Sequence, residues 1–109
     1  MPVETKIENG AAFVTLTGRL TLGKDVERLE KAVDDLIAEN QKMFIFDASA
    51  LDYADSAGIG TVVACLTHIK KAGGEMRLAG ANARVRRLFQ MTGVDKLLAL
   101  YPTVAEARA

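Results

Sequence analysis

Cysteine, histidine and net charge are scarce in this chain of 109 residues, and each scarcity excludes a class of protein. The single cysteine, Cys65, excludes a disulfide within the chain and is typical of a reducing compartment, so we expect a cytoplasmic protein. One cysteine and one histidine cannot supply a Cys/His zinc site, and they leave little room for histidine-based catalysis. Lysine plus arginine and aspartate plus glutamate number 14 each, which argues against a strongly basic nucleic-acid binder.

Long apolar segments are also missing. The longest largely apolar stretch covers residues 59–66, far short of the roughly 20 residues that a membrane-spanning helix needs. The first residues contain no apolar signal segment. We therefore expect no membrane insertion. With 50% hydrophobic and 26% charged residues, the composition is that of one ordinary globular domain over residues 1–109.

Short β-prone runs alternate with helical periodicity along the chain. Asn9 and Gly10 separate the first two runs and are typical of a tight hairpin turn. Strands are predicted at residues 3–8, 12–17, 43–46, 75–79 and 97–101, and helices at 24–39 and 56–71, after Asn82 and after Pro102. Loops are predicted at 18–23 and 47–55. This order predicts an α/β fold whose mixed, mostly parallel sheet of four to five strands carries an N-terminal hairpin and about four helices.

The most unusual stretch is residues 51–60, which follow a buried strand and open a helix. Gly58 and Gly60 lie in or next to the first turn, where each costs roughly 1 kcal/mol relative to alanine. Either another backbone or a ligand approaches closely, or the helix begins after Gly60. Ser56, at the start of the helix, is either an N-cap or an exposed reactive hydroxyl.

The motif Asp55-Ser56-Ala57-Gly58-Ile59-Gly60 resembles the Asp-Ser-[Ser/Thr]-Gly-[Leu/Ile]-Gly signature of STAS domains. More narrowly, it is similar to that of the bacterial anti-sigma factor antagonists. The resemblance extends over nearly the whole chain. It includes the opening hairpin, the Gly18-Arg19-Leu20 turn, the strand at 44–47 and the segments at 74–78 and 92–94.

The resemblance implies a phosphorylation switch. In this family the serine after the aspartate is phosphorylated by a partner kinase that is also the anti-sigma factor, and here that residue is Ser56. The unphosphorylated protein would bind this anti-sigma factor serine kinase and free a sigma factor, and a metal-dependent protein serine phosphatase would reverse the mark. No cofactor, no catalytic activity and no direct nucleic-acid contact is implied. The expected partner-binding residues are Thr21, Tyr53, Asp55, Ser56, Ala57, Gly58, Ile59 and Gly60.

Two positions depart from the family pattern. Ala57 stands where a second serine or threonine is common, which removes a second acceptor. Thr21 stands where many relatives have an aspartate before the first helix. If that aspartate contacts the kinase, the threonine changes the affinity for the kinase or the identity of the partner; alternatively, Thr21 caps the helix. Tyr53 and Ile59 flank the motif and are either core residues or part of an apolar surface around Ser56.

Phosphorylation of Ser56 is expected to act through local charge and not through refolding. A phosphate adds about −1.5 to −2 charges, which a helix N-terminus tolerates while Asp52 and Asp55 oppose it. These internal effects are small. A charge left unpaired against a partner costs more, so we expect the phosphate to release the partner without a change of fold.

Other functions remain as alternatives. A STAS subunit of a membrane transporter, docking from the cytoplasmic side, shares the fold and a similar motif. An independent enzyme is disfavoured because no nucleophile–base pair and no phosphate loop is present. The Gly58-Ile59-Gly60 segment only partly matches a dinucleotide fingerprint, since it lacks the third glycine and lies about ten residues past the strand.

Two further groups of residues have a plainer explanation. Cys65 and His68 are three apart on one predicted helix, but with no third orienting group they are expected to be core and surface residues. Arg84, Arg86 and Arg87 form a basic patch that is expected to face solvent, with an acidic partner as the alternative.

Overall fold

The computed structural model describes residues 3–108, and within this range the chain forms five strands, four α-helices and a short 3₁₀ helix at Val94–Lys96. The strands are β1 (Val3–Glu8), β2 (Ala11–Leu20), β3 (Met43–Ala54), β4 (Glu75–Ala79) and β5 (Ala99–Tyr101). The helices are α1 (Lys24–Ala38), α2 (Ser56–Lys71), α3 (Ala83–Met91) and α4 (Val104–Arg108).

The strands form one sheet in the order β1-β2-β3-β4-β5. The first pair is antiparallel and the other three pairs are parallel. Asn9 and Gly10 both have positive φ angles, of 52° and 80°, which is the geometry of a tight hairpin turn. The predicted mixed, mostly parallel α/β sheet with an N-terminal hairpin and about four helices is therefore confirmed.

The two faces of the sheet are covered unequally. Helices α1, α2 and α3 pack on one face, over a main core that includes the strand residues Ala12, Val14, Leu16, Phe44, Phe46, Met76 and Leu78. On the opposite face α4 brings Ala107 against Ile45 and Ala79. Since Phe44, Ile45 and Phe46 are all buried, the first part of β3 is covered on both faces.

The two strands that lead to the motif at residues 55–60 are longer than predicted. Strand β2 runs to Leu20 and β3 runs to Ala54, so the predicted loops at 18–23 and 47–55 are wrong except at their last residues. The two strands stay paired from Thr17 opposite Ala50 to Leu20 opposite Ala54, with register shifts between Thr15 and Thr17 and between Gly18 and Arg19. Gly18 has a φ of 79°. Such bulges let pairing continue past a break in the strand pattern.

The ends of several smaller elements also differ from the prediction. Helix α1 ends at Ala38, one residue early, and β5 begins at Ala99 instead of residue 97. The 3₁₀ helix at Val94–Lys96 comes before β5 and follows Gly93, which is in the left-handed region (φ 78°). The carbonyl of Val94 accepts from both Leu97 and Leu98, and this turn buries the Leu98 side chain.

Candidate functional site

The motif at residues 55–60 begins where the paired ends of β2 and β3 meet helix α2. Only Asp55 separates the last residue of β3 from the first residue of α2. Its backbone N–H donates to the carbonyl of Leu20, at 3.2 Å, and so continues the β2–β3 pairing by one more bond. The start of α2 is thereby fixed to the end of a strand.

The Asp55 carboxylate bonds two separate parts of the chain. Its Oδ1 accepts from the Gly58 N–H at 2.7 Å, which caps α2, and its Oδ2 accepts from the Leu22 N–H at 3.0 Å. The alternative that Ser56 is the N-cap is therefore wrong, because Ser56 is the first residue of the helix. The second oxygen of the Asp55 carboxylate reaches the loop between β2 and α1. A serine at the N-cap could bond α2 but would leave the Leu22 N–H without this acceptor.

These hydrogen bonds favour the charged form of Asp55. The backbone N–H of Leu22, followed by that of Gly58, holds the pKa of the carboxyl below its ordinary value. The carboxylate therefore occupies the Gly58 N–H in the first turn of α2 at neutral pH. An anion placed on a neighbouring residue finds the Gly58 N–H already engaged.

Ser56 is exposed at the start of α2. Among residues 3–108 its hydroxyl has no hydrogen-bond partner, whereas the other serine of the chain, Ser49, donates to Asp47 Oδ1 at 2.6 Å. The alternative of an exposed and free hydroxyl therefore describes Ser56.

The two glycines of the motif have different environments. A Cβ on Gly58 would lie 2.2 Å from the carbonyl oxygen of Leu20, so the close approach of another backbone explains this residue. A Cβ on Gly60 would meet no atom within 4 Å. Both glycines lie inside α2, so the alternative that the helix begins after Gly60 is wrong. Packing within residues 3–108 gives no reason for a glycine at position 60.

The remaining expected partner-binding residues lie at different depths. Ile59 is 7% exposed and belongs to the main core, which settles the open alternative for its side chain. Ala57 is half-buried, and its carbonyl accepts from the Thr61 hydroxyl. Tyr53 is half-buried beneath Arg19, whose guanidinium carbon lies 4.8 Å from the ring centroid. Tyr53 thus combines a packed ring with partial access to solvent.

Thr21 does not cap α1. Its hydroxyl donates to Asp25 Oδ2 at 3.1 Å, while the N-cap position is Gly23, which has no side-chain capping bond. The alternative that Thr21 caps the helix is wrong. The threonine instead ties the loop before α1 to the first turn of that helix.

Leu22 is the residue of this site that the sequence did not reveal. Its side chain is 77% exposed, and its N–H is one of the two donors to the Asp55 carboxylate. Its only sequence signal is a large apolar residue in the short turn before Gly23. The partner of its N–H lies 33 residues away along the chain, and no local pattern encodes that bond.

The other candidate groups have structural roles. Cys65 is buried, and that burial raises the pKa of its thiol to about 12. His68 is exposed and lies 3.3 Å from a carboxylate oxygen of Asp34 on α1. The prediction of a core cysteine and a surface histidine is confirmed. The predicted basic patch of α3 is exposed, with Arg84, Arg86 and Arg87 all facing solvent.

No helix in residues 3–108 has both the length and the apolar character needed to cross a membrane.

Comparison with known proteins gives a consistent assignment. A family model described as STAS domain matches residues 2–107. An anti-sigma F factor antagonist of Paenibacillus polymyxa is 28% identical over 109 residues, and the alignment covers 98% of this chain and 92% of that protein.

Solved structures share the fold at lower identity. A candidate anti-sigma factor antagonist from Thermotoga maritima has a TM-score of 0.89 at 23% identity, over 97% of this chain and 91% of the other. The Bacillus cell fate determinant SpoIIAA in its phosphorylated form has a TM-score of 0.75 at 20% identity, over 97% and 96%. A sulfate transporter family protein from Wolinella succinogenes has a TM-score of 0.81 at 20% identity, over 94% and 84%. These likenesses show the fold alone.

Alanine at the two glycines should have opposite effects on stability. Gly58→Ala places a Cβ against the Leu20 carbonyl and should cost about 1–3 kcal/mol. Gly60→Ala enters open space inside a helix and should stabilise the chain by about 0.5–1 kcal/mol. Urea unfolding followed by circular dichroism measures both. Changes of the same sign would contradict the different environments of the two positions.

Asp55 should make stability depend on pH. Its pKa is lower in the folded chain than in the unfolded chain, so its contribution is fully present above about pH 4 and lost as the pH falls through the folded-state pKa. Asp55→Asn should therefore be less stable than the original chain at pH 7, with a gap that narrows in acid. Urea midpoints from pH 7 to pH 3 test this, with Ser56→Ala as a non-titrating control. A gap that does not vary with pH would refute it.

Proposed function

This chain belongs to the STAS domain family, and on that basis we propose that it acts as an anti-sigma factor antagonist. In this proposal it is a cytoplasmic binding module with no reaction of its own. It binds an anti-sigma factor serine kinase when Ser56 is unmodified, and a sigma factor is thereby freed. Phosphorylation of Ser56 by that kinase ends the interaction, and a metal-dependent protein serine phosphatase restores it.

The observation that carries the proposal is the free, exposed hydroxyl of Ser56. A kinase needs an accessible nucleophilic hydroxyl, and Ser56 has one at the surface. Ser49, the only other serine, lies within β3 and is bonded to Asp47, since both its hydroxyl and its N–H donate to that carboxylate. The sequence resemblance and the geometry therefore point to the same residue.

The proposed partner surface consists of the accessible parts of the motif. Ser56 and Gly60 are exposed and lie four residues apart on α2, which places them on one side of the helix. Asp55 and Tyr53 border them and are partly accessible. A glycine at position 60 leaves this side of the helix flat, so a partner can approach the backbone there. Gly58 and Ile59 support the surface from beneath.

Electrostatics explain how a phosphate would release the partner. The Asp55 carboxylate already accepts from the Gly58 and Leu22 N–H groups, so a phosphate on Ser56 adds charge beside an existing negative charge. Burying that charge against a partner without a counter-charge costs about 2–5 kcal/mol, or roughly 30- to several-thousand-fold in affinity. Because the cap of α2 is Asp55 and not Ser56, the fold does not depend on the modified side chain.

A second candidate function is that of a transporter subunit, since a sulfate transporter family protein shares the fold. In that case the chain would dock on a transporter subunit from the cytoplasmic side, and the charge at Ser56 would not govern the contact. The identity of the bound protein distinguishes the two functions.

Wild-type protein and the Ser56→Glu variant should retain different proteins from the native host. With both as bait and mass spectrometry as readout, we expect a kinase-like anti-sigma factor on the wild type and its loss on Ser56→Glu, because the added carboxylate mimics part of the phosphate charge. Retention of a transporter ATPase by both baits would replace the proposed function with the second one.

Phosphate transfer should be confined to one serine. Incubated with the retained kinase and ATP, the wild type and Ser49→Ala should gain one phosphate by intact-mass measurement, and Ser56→Ala should gain none. Ser49→Ala is the matched control because it removes the only other serine. Phosphate on Ser56→Ala, or its absence from Ser49→Ala alone, would show that the acceptor is another residue.

A further inference from the structure

We propose that Leu22 is an apolar anchor that inserts into a hydrophobic pocket of the anti-sigma factor kinase, beside the phosphorylation site. This inference rests on the proposed function and names a contact that the sequence motif does not contain. In this proposal, Leu22 provides part of the binding affinity, and phosphorylation of Ser56 turns binding off.

Leu22 differs from the other exposed hydrophobic side chains in how it is held. Four large hydrophobic residues within positions 3–108 are prominently exposed: Leu22 at 77%, Met91 at 75%, Leu97 at 56% and Ile7 at 50%. A scattered exposed side chain is ordinary on a protein surface and needs no explanation. Leu22, however, has its own N–H bonded to the capping carboxylate of the motif, which places it beside the site.

The loop that carries Leu22 is fixed on both sides. Before it, the Leu20 carbonyl accepts from the Asp55 N–H, and the Thr21 hydroxyl bonds Asp25. After it, the carbonyl of Gly23 accepts from the Glu27 N–H at the start of α1. The backbone at Leu22 is therefore ordered before any partner arrives. An ordered contact loses less conformational entropy on binding, which is the advantage of a pre-organised anchor.

One carboxylate sets the spacing between the anchor and the switch. Asp55 bonds Leu22 through Oδ2 and Gly58 through Oδ1, and Ser56 lies between Asp55 and Gly58 in the chain. In this proposal, the partner surface that encloses Leu22 also covers the first turn of α2. A phosphate on Ser56 would then be buried in the same contact without a counter-charge. The apolar anchor makes the partner sensitive to the phosphate.

The test measures affinity with the anti-sigma factor kinases that the host genome encodes, each purified and titrated by calorimetry. Leu22→Ser should weaken binding about 10- to 100-fold, as expected for losing a buried leucine side chain. Leu22→Met should stay within about threefold of the wild type because it keeps the apolar volume. Met91→Ser, an equally exposed control on α3, should leave affinity unchanged. Melting temperatures of all variants should match, since neither side chain is part of the core.

Three outcomes would overturn the anchor. If a kinase binds the wild type and is lost with Ser56→Glu, but Leu22→Ser still binds as tightly, Leu22 is not the anchor while the proposed function survives. Equal weakening by Leu22→Ser and Met91→Ser would indicate non-specific hydrophobic binding and would also reject the anchor. If no kinase binds the wild type, both the proposed function and the anchor fail.

Discussion

The Asp55 carboxylate is the interaction on which the site depends. It caps α2 through Gly58, bonds the loop before α1 through Leu22, and belongs to the residue whose N–H extends the β2–β3 pairing through Leu20. Residues 20–22, at the end of β2 and in the loop before α1, are therefore joined through one residue to the start of α2. A charged acceptor with two oxygens can do this, whereas a hydroxyl satisfies fewer donors at once. The neighbouring serine is consequently free of any capping duty and available for modification.

The structural role thus falls to Asp55, which caps the helix, and the proposed switching role falls to Ser56 beside it. The sheet buries Phe44 and Phe46 under three helices, and none of that core involves Ser56. The proposed phosphorylation of Ser56 would change the charge that a partner meets without disturbing this packing. At Gly58, helix α2 packs directly on the backbone of Leu20, because no side chain separates the helix from the strand. This contact fixes the position of the first turn of α2.

Much of this arrangement could be predicted from the sequence, and the failures have identifiable causes. The hairpin at Asn9 and Gly10 and the helical periodicities follow from local rules, and the fold class follows from their order. The second half of β3 could not be predicted in this way, since its buried residues Ala48, Leu51 and Ala54 recur at every third position, whereas a strand pattern repeats at every second. The identity of the cap and the different environments of Gly58 and Gly60 depend on contacts with residues 20–22, more than 30 positions away. Such contacts leave no local pattern.

The burial of the single cysteine has a practical consequence. Cys65 lies in the main core with its thiol pKa raised to about 12, so almost no reactive thiolate is present at neutral pH. Thiol reagents should therefore react little with the folded protein. A cysteine introduced at an exposed position such as Gly60 would be the one group to react. A fluorophore or spin label could therefore be attached beside the motif without first removing a native residue from the core.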